Sequence, residues 1–196
     1  LTVHVFTSPH LVRFNERIRL VGKLVSDQQL AAWLKRVRTA VGDALITQFE
    51  ATTATAILAF SEVPADLLIL EVGLGGRFDA TNVIDSPLLS VITPIDFDHQ
   101  QFLGTDLRSI AGEKAGIIKA GCPCVSARQA PIAADVIADR SGIVSAPLSV
   151  LTQADIDAVP GSVALLGDHQ RENAALAGLA LRTQDRFDIP EVAILT

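Results

Sequence analysis

Short apolar runs, too brief for helices, recur along this chain and alternate with segments of helical period, and that alternation limits the fold more than any other feature. Residues 3–6, 67–70, 88–92, 124–126 and 163–166 read as buried strands. A helix is predicted after Ser26-Asp27, where either side chain can cap; Leu30, Leu34, Val37 and Val41 follow at helical spacing. Further helices are predicted over residues 51–61, 107–119, 131–139 and 168–181. Strands alternating with helices imply an α/β fold, a mostly parallel sheet flanked by helices. Residues 141–161 read as a connection between two halves, with room for a small hairpin. There is no internal repeat and no low-complexity tract.

Composition supports a packed core: 49% of residues are hydrophobic and 19% charged. No apolar run reaches the ~18 residues of a membrane span, so no membrane partner is expected. The net charge of −6 argues against nucleic acid, whose phosphates need a basic surface. Cys122 and Cys124 are the two cysteines, too close for an unstrained disulfide and too few for a structural zinc site. They read as incidental thiols of a reducing cytoplasm. The chain lacks methionine, and its start, Leu1-Thr2-Val3-His4, has no signal-peptide character. It is expected to begin inside a longer protein.

In parallel sheets ligands sit beyond the carboxyl ends of the strands. Three segments meet that rule: Ser8-Pro9-His10, then Glu71-Val72-Gly73-Leu74-Gly75-Gly76, then Asp96-Phe97-Asp98-His99. Glu71 ends an apolar run, where a carboxylate is costly to bury unless a cation or strong donors meet it. The three glycines permit close backbone approach to a ligand, or simply a tight turn. His99 is a candidate ligand or proton shuttle. Magnesium prefers oxygen, so on chemistry alone the metal stays open. Lys114 lies within a predicted helix and, with Lys119, also reads as a surface lysine. Arg13, Arg17 and Arg19 form a basic stripe, either a solvated strand or a receiver of an acidic substrate. Arg77 and Asp79 could be a surface pair. His169, Gln170 and Asn173 open the last helix, where a capping role and an anion-facing role are both open.

Taken together, these segments resemble the folylpolyglutamate synthase and dihydrofolate synthase family, within the Mur ligase superfamily. The matching stretches are residues 7–18, Phe49-Glu50, 70–82, Asp98-His99, Leu103-Gly104, 110–117 and 167–174, in order. The resemblance spans nearly the whole chain apart from residues 128–161. It implies an ATP-dependent ligase of folate biosynthesis. In that reaction ATP phosphorylates a carboxylate of dihydropteroate or a tetrahydrofolate, and the amine of L-glutamate displaces phosphate from the acyl phosphate.

The resemblance implies ATP and magnesium as cofactors. Ser8, Glu71 and His99 are the implied metal ligands, and Lys114, His99 and Glu71 the implied catalytic set. Lys114 matches a lysine that the family carbamylates. Asn173, with His169 and Gln170, is implied on the nucleotide. Arg13, Phe49, Glu50, Gly75, Arg77, Asp79 and Ala80 are implied on the substrate side, and the loops over residues 8–17 and 77–82 look like substrate loops.

Residues 1–196 would be a partial central domain of the Mur ligase type, a P-loop-type fold. The family's N-terminal phosphate loop and its C-terminal domain are missing from the chain. Such a chain is expected to be monomeric and inactive on its own. Two rival readings share the fold: a binding remnant without catalysis, and a Mur-type amide ligase.

Overall fold

In a computed structural model the described residues are 1–98, 100–160 and 167–194, the side chains of Gln100, Phe102 and Asp168 aside. The chain forms two compact units, Leu1–Leu74 with Asp79–Val83, and Gly75–Phe78 with Ile84–Thr196.

The first unit is organised by strand β1 (Val3–Phe6), whose His4 and Phe6 point into the core. β1 pairs antiparallel with β2 (Ile18–Leu20), which pairs antiparallel with β3 (Lys23–Leu24). On its other side it pairs parallel with β4 (Leu67–Leu70), in the register Val3↔Leu67 to Phe6↔Leu70. A parallel neighbour requires a crossover. Here two helices supply it, α1 (Asp27–Val41) and α2 (Gln48–Glu62).

Helix α1 begins at a capping box between Ser26 and Gln29, and its buried residues are Leu30, Trp33 and Val37. Trp33, which was not expected on the stripe, is buried at its centre, while the expected Leu34 packs half-buried against the same core and Val41 is half-buried at the end of the helix. Its indole Nε1–H donates to Glu62 Oε2 at 2.8 Å, tying α1 to the last turn of α2. Arg36 also pairs with Glu62. The Trp33 and Arg36 hydrogen bonds hold the Glu62 carboxyl below its ordinary pKa.

Helix α2 starts three residues before its predicted start because Thr47 and Glu50 form a capping box. Phe6, Ile18, Val25, Leu30, Trp33, Ala56 and Ala59 close the core. His4 is buried within this unit. Its Nε2–H donates to the Val63 carbonyl at 2.8 Å, and its Nδ1 accepts from Val21 N–H at 3.1 Å. Those two partners require the neutral ring with the proton on Nε2.

The second unit holds three parallel strands in the order β5 (Ser90–Ile92), β6 (Cys124–Ser126), β7 (Leu148–Val150). Helices α3 (Gln100–Leu103) and α4 (Leu107–Ala115) lie between β5 and β6, and α5 (Pro131–Ile143) lies between β6 and β7. After β7 come α6 (Gln153–Asp157), α7 (Asp168–Thr183) and α8 (Glu191–Ile194).

Central β6 is buried at every position, since Cys124 joins the cluster around Ile110, Ile118 and Ile137 while Val125 joins that around Leu151, Ala175 and Leu176. Cover on both faces explains why this run lacks polar alternation. Both cysteines are free, and burial pushes the Cys124 thiol up to about 12, which suppresses its thiolate chemistry.

The α/β class with helices flanking mostly parallel pairings agrees with the expectation, and two local readings change. Residues 141–161 are not a connection with a hairpin, because Leu148–Val150 pairs in parallel with β6 and α6 follows. Helix α4 stops at Ala115, not Lys119. The expected strand at residues 163–166 lies outside the described residues. No described helix is long and apolar enough to cross a membrane.

Candidate functional site

In the first unit the parallel register Phe6↔Leu70 brings the ends of β1 and β4 side by side. Glu71 N–H donates to the Phe6 carbonyl at 3.0 Å, extending the ladder by one bond. Glu71 Oε2 then accepts from Ser8 N–H at 2.8 Å. The Ser8 backbone and the Glu71 carboxylate thus meet at adjacent strand ends, and Glu71 is exposed rather than buried. The carboxylate is a hard oxygen donor of the kind magnesium takes, and the Ser8 side chain carries a second. His99, the third expected ligand, lies outside the described residues. Among the described residues no group of three or more His, Cys, Asp or Glu could hold a metal.

The segment after Ser8 is tied internally. The Glu16 carboxylate accepts from the backbone N–H groups of Leu11 at 2.8 Å, Val12 at 3.2 Å and Arg13 at 2.8 Å. The Arg13 and Leu11 N–H groups hold its carboxyl below the ordinary value. The arginine stripe does not persist in three dimensions. Arg13 pairs with Asp27 at 3.4 Å, Arg17 donates from Nε to His10 Nδ1 at 3.0 Å over the Phe14 ring, and Arg19 is exposed in β2. Asn15, between them, is buried and donates to the Val25 carbonyl and Asp27, each at 2.9 Å.

The glycine segment has packing reasons for its composition. A Cβ at Gly73 would sit 2.3 Å from Phe49 Cζ, so the Phe49 ring occupies the space that a side chain would need. Phe49 also packs against Phe6. Its neighbour Glu50 spends its Oε2 on Thr47 N–H and Oγ–H. Asp79 accepts from the N–H groups of Gly73 and Leu74 through Oδ2, and from Thr81 N–H and Oγ–H through Oδ1. It fastens that turn, while Ala80 is half-buried beside it. An Asx turn of the form Asp-x-Thr was legible in the sequence and marks this role better than a surface pair does.

In the second unit Gly75–Phe78 lies against the end of α4. Arg77 N–H donates to the Glu113 carbonyl at 2.9 Å, its Nη2 to the Gly112 carbonyl at 3.2 Å, and its Nε lies 3.6 Å from Glu113 Oε1. A Cβ at Gly76 would be 2.8 Å from the Glu113 oxygen, and one at Gly116 2.5 Å from Arg77 Cβ. The two glycine motifs therefore interlock. Gly75 adopts φ +67° beside Leu103. Arg77, Phe78, Leu103, Gly104, Ser109, Gly112 and Glu113 line an open depression of about 560 Å³. Lys114 is half-buried on α4.

The start of α7 divides its motif between two tasks. Arg171 donates to the carbonyls of Ile156, Asp157 and Val159, closing the end of α6, and Glu172 pairs with Arg128. His169 and Asn173 stay exposed. Gln170 links them, with its Nε2 3.1 Å from His169 Nε2 and its Oε1 accepting from Asn173 Nδ2 at 3.3 Å. That polar edge is available to a ligand, and Arg171 and Glu172 are not.

No protein-family model matches the chain. The dihydrofolate synthase/folylpolyglutamate synthase of Bacillus subtilis (strain 168) is 40% identical over 220 residues, covering 98% of this chain and 51% of that protein. A solved folylpolyglutamate synthase complex with AMPPCP and folate matches with a TM-score of 0.87 at 32% identity, covering 99% of this chain and 54% of that one. Escherichia coli FolC in complex with DHPP and ADP matches with a TM-score of 0.85 at 34% identity, covering 99% and 49% respectively. The chain thus spans about half the length of these relatives. Such identity across almost every residue of the chain, joined to the same backbone course, has one meaning: the chain belongs to the dihydrofolate synthase/folylpolyglutamate synthase family.

Proposed function

We propose that residues 1–196 form the metal-binding and substrate-facing part of a Mur-ligase-like central domain in an ATP-dependent ligase. The whole protein joins L-glutamate to dihydropteroate, to tetrahydrofolates, or to both, as a cytoplasmic monomer in folate biosynthesis. The observation that carries the reading is the Ser8–Glu71 contact at adjacent strand ends. The AMPPCP, folate, DHPP and ADP in the complexes of its relatives support it from the ligand side.

In this reading the γ-phosphoryl group of ATP passes to the substrate carboxylate with departure of ADP. The glutamate amine then attacks the acyl phosphate, and phosphate leaves. Bound magnesium neutralises phosphate charge during the transfer. Glu71, Ser8 and His99 hold the ion. Lys114, as a carbamate, adds an anionic oxygen. Asn173 contacts the base of the nucleotide, with His169 and Gln170 holding its amide in place. Arg13, Gly75, Arg77 and Ala80 face the acid substrate. Phe49, Glu50 and Asp79 shape that side through the contacts they already make with Gly73, Thr47 and the Gly73–Leu74 turn.

The sequence contains no Gly-Lys-Ser or Gly-Lys-Thr. Positioning and charge neutralisation supply most of phosphoryl-transfer catalysis. The 196-residue chain assayed with ATP, magnesium, glutamate and dihydropteroate is therefore expected to give no turnover. A full-length family protein carrying this sequence is expected to ligate glutamate and to lose activity in Glu71→Gln. Turnover by the 196-residue chain that vanishes in Glu71→Gln would overturn the first expectation, and an active full-length Glu71→Gln would sink the metal assignment.

A further inference from the structure

Residues 7–17 leave the sheet at β1 and rejoin it at β2, with Thr7 N–H donating to the Arg17 carbonyl at 3.0 Å across the base of the loop. Within the loop no β ladder supplies partners for the backbone. One side chain does so: Glu16 collects three consecutive N–H groups, those of Leu11, Val12 and Arg13, while its own N–H returns to the Arg13 carbonyl at 3.0 Å. Hydrogen bonds to a charged acceptor are about twice as strong as neutral ones. The tip they hold is apolar, with Leu11 92% and Val12 84% exposed. Two bare branched side chains on an unanchored loop would fold back onto apolar surface. Here the carboxylate keeps them out. Ser8 is three residues upstream of the held segment and is itself joined to Glu71.

We propose that Glu16 is a positioning residue: its carboxylate makes residues 8–13 a preorganised body, and through that body it holds Ser8 against Glu71. The proposal rests on the metal reading only for its consequence at the Ser8–Glu71 pair. The geometry of the loop carries the rest. Arg17 and His10 brace the same loop from inside, and Asp27 meets Arg13 from α1. These are the ionisable groups around Glu16 on the elements it packs with.

The test is amide hydrogen exchange by NMR on the 196-residue chain and its Glu16→Gln and Glu16→Asp variants. Glutamine turns one acceptor oxygen into a donor facing an N–H. In Glu16→Gln the amides of Leu11, Val12, Arg13 and Ser8 are expected to exchange about tenfold faster or more, as for loss of charge-assisted bonds. The amides of Thr7 and Glu71, bonded within the sheet, should keep wild-type rates and report that the unit is folded. Glu16→Asp keeps the charge and should recover part of the protection.

In the wild type, protection at Leu11–Arg13 is present while Glu16 is ionised. It is lost as the pH falls through a carboxyl pKa lowered by the Arg13 and Leu11 N–H groups. The acid step therefore lies below that of an ordinary glutamate, and Glu16→Gln lacks it. Wild-type exchange at Ser8 in Glu16→Gln overturns the proposal, as does wild-type exchange at Leu11–Arg13.

Manganese(II) titration of the same proteins and of Glu71→Gln separates the two readings. Binding that weakens about threefold or more in Glu16→Gln and is lost in Glu71→Gln supports both. If the wild type takes up no manganese(II), the metal reading fails, and the Ser8 exchange rate still decides the role of Glu16.

Discussion

Replacing Gly116 with alanine is expected to lower the stability of the chain by about 2–3 kcal/mol, the cost of forcing atoms into a filled space. The new Cβ would lie 2.5 Å from Arg77 Cβ and 2.7 Å from Arg77 Cα. A backbone carbon cannot swing aside as a side-chain end can. Relief must come from lifting Arg77 off α4, which breaks its N–H bond to the Glu113 carbonyl. Gly112, one turn earlier on α4, is the control, because a Cβ there meets nothing within 4 Å. Gly112→Ala should gain about 0.5–1 kcal/mol from helix propensity alone. For a chain of this size the Gly116→Ala loss is about 4–12 °C in Tm by circular dichroism. If Gly116→Ala melts with Gly112→Ala, the interlock of the two glycine motifs is not holding the loop.

The second large effect is chemical. In a full-length family protein carrying this sequence, Lys114→Ala is expected to cut ligation by about a thousandfold, the scale of removing one preorganised electrostatic group from a transition state. Stability should change by less than about 1 kcal/mol, since alanine suits a helix interior and Lys114 is only half-buried. An ammonium beside magnesium would repel it, whereas a carbamate turns the same position into an oxygen donor. Its formation needs the neutral amine, which attacks carbon dioxide and releases one proton. Acetate or formate added to Lys114→Ala should restore part of the lost rate by standing in for the carbamate oxygens. Undiminished ligation by Lys114→Ala would refute the role.

These two residues belong to one short motif, and they show where sequence reasoning reaches its limit. The run Gly112-Glu113-Lys114-Ala115-Gly116 could be matched to a family, and Lys114 could be singled out by its chemistry. That Gly116 exists to admit Arg77, from nearly forty positions away, could not be read, because a missing Cβ carries no sign of which neighbour needs the space. The same applies to Gly73 and Phe49. In the sequence Glu16 is only a carboxylate between Arg13 and Arg17, whereas the turn of the chain places it under three N–H groups. Arg171 looked like part of a nucleotide motif until α6 was seen to end beneath it.

What the amino-acid sequence determined by itself is the periodic part. Strands β1, β4 and β6 have the bounds expected of them, because short runs rich in apolar residues are too brief for helices; that β4 is only half-buried, with Ile69 exposed, was not legible in the run. The class of the fold and the order of the strand-end motifs follow from the same local physics. Strand β7 was missed because three residues with a serine at the centre carry no period. Only the tertiary structure decided it, by setting Leu148–Val150 beside β6 so that the ladder could supply the hydrogen bonds. Partner choice over long separation is set by burial and hydrogen-bond satisfaction across the whole fold, so it appears only when the chain is folded.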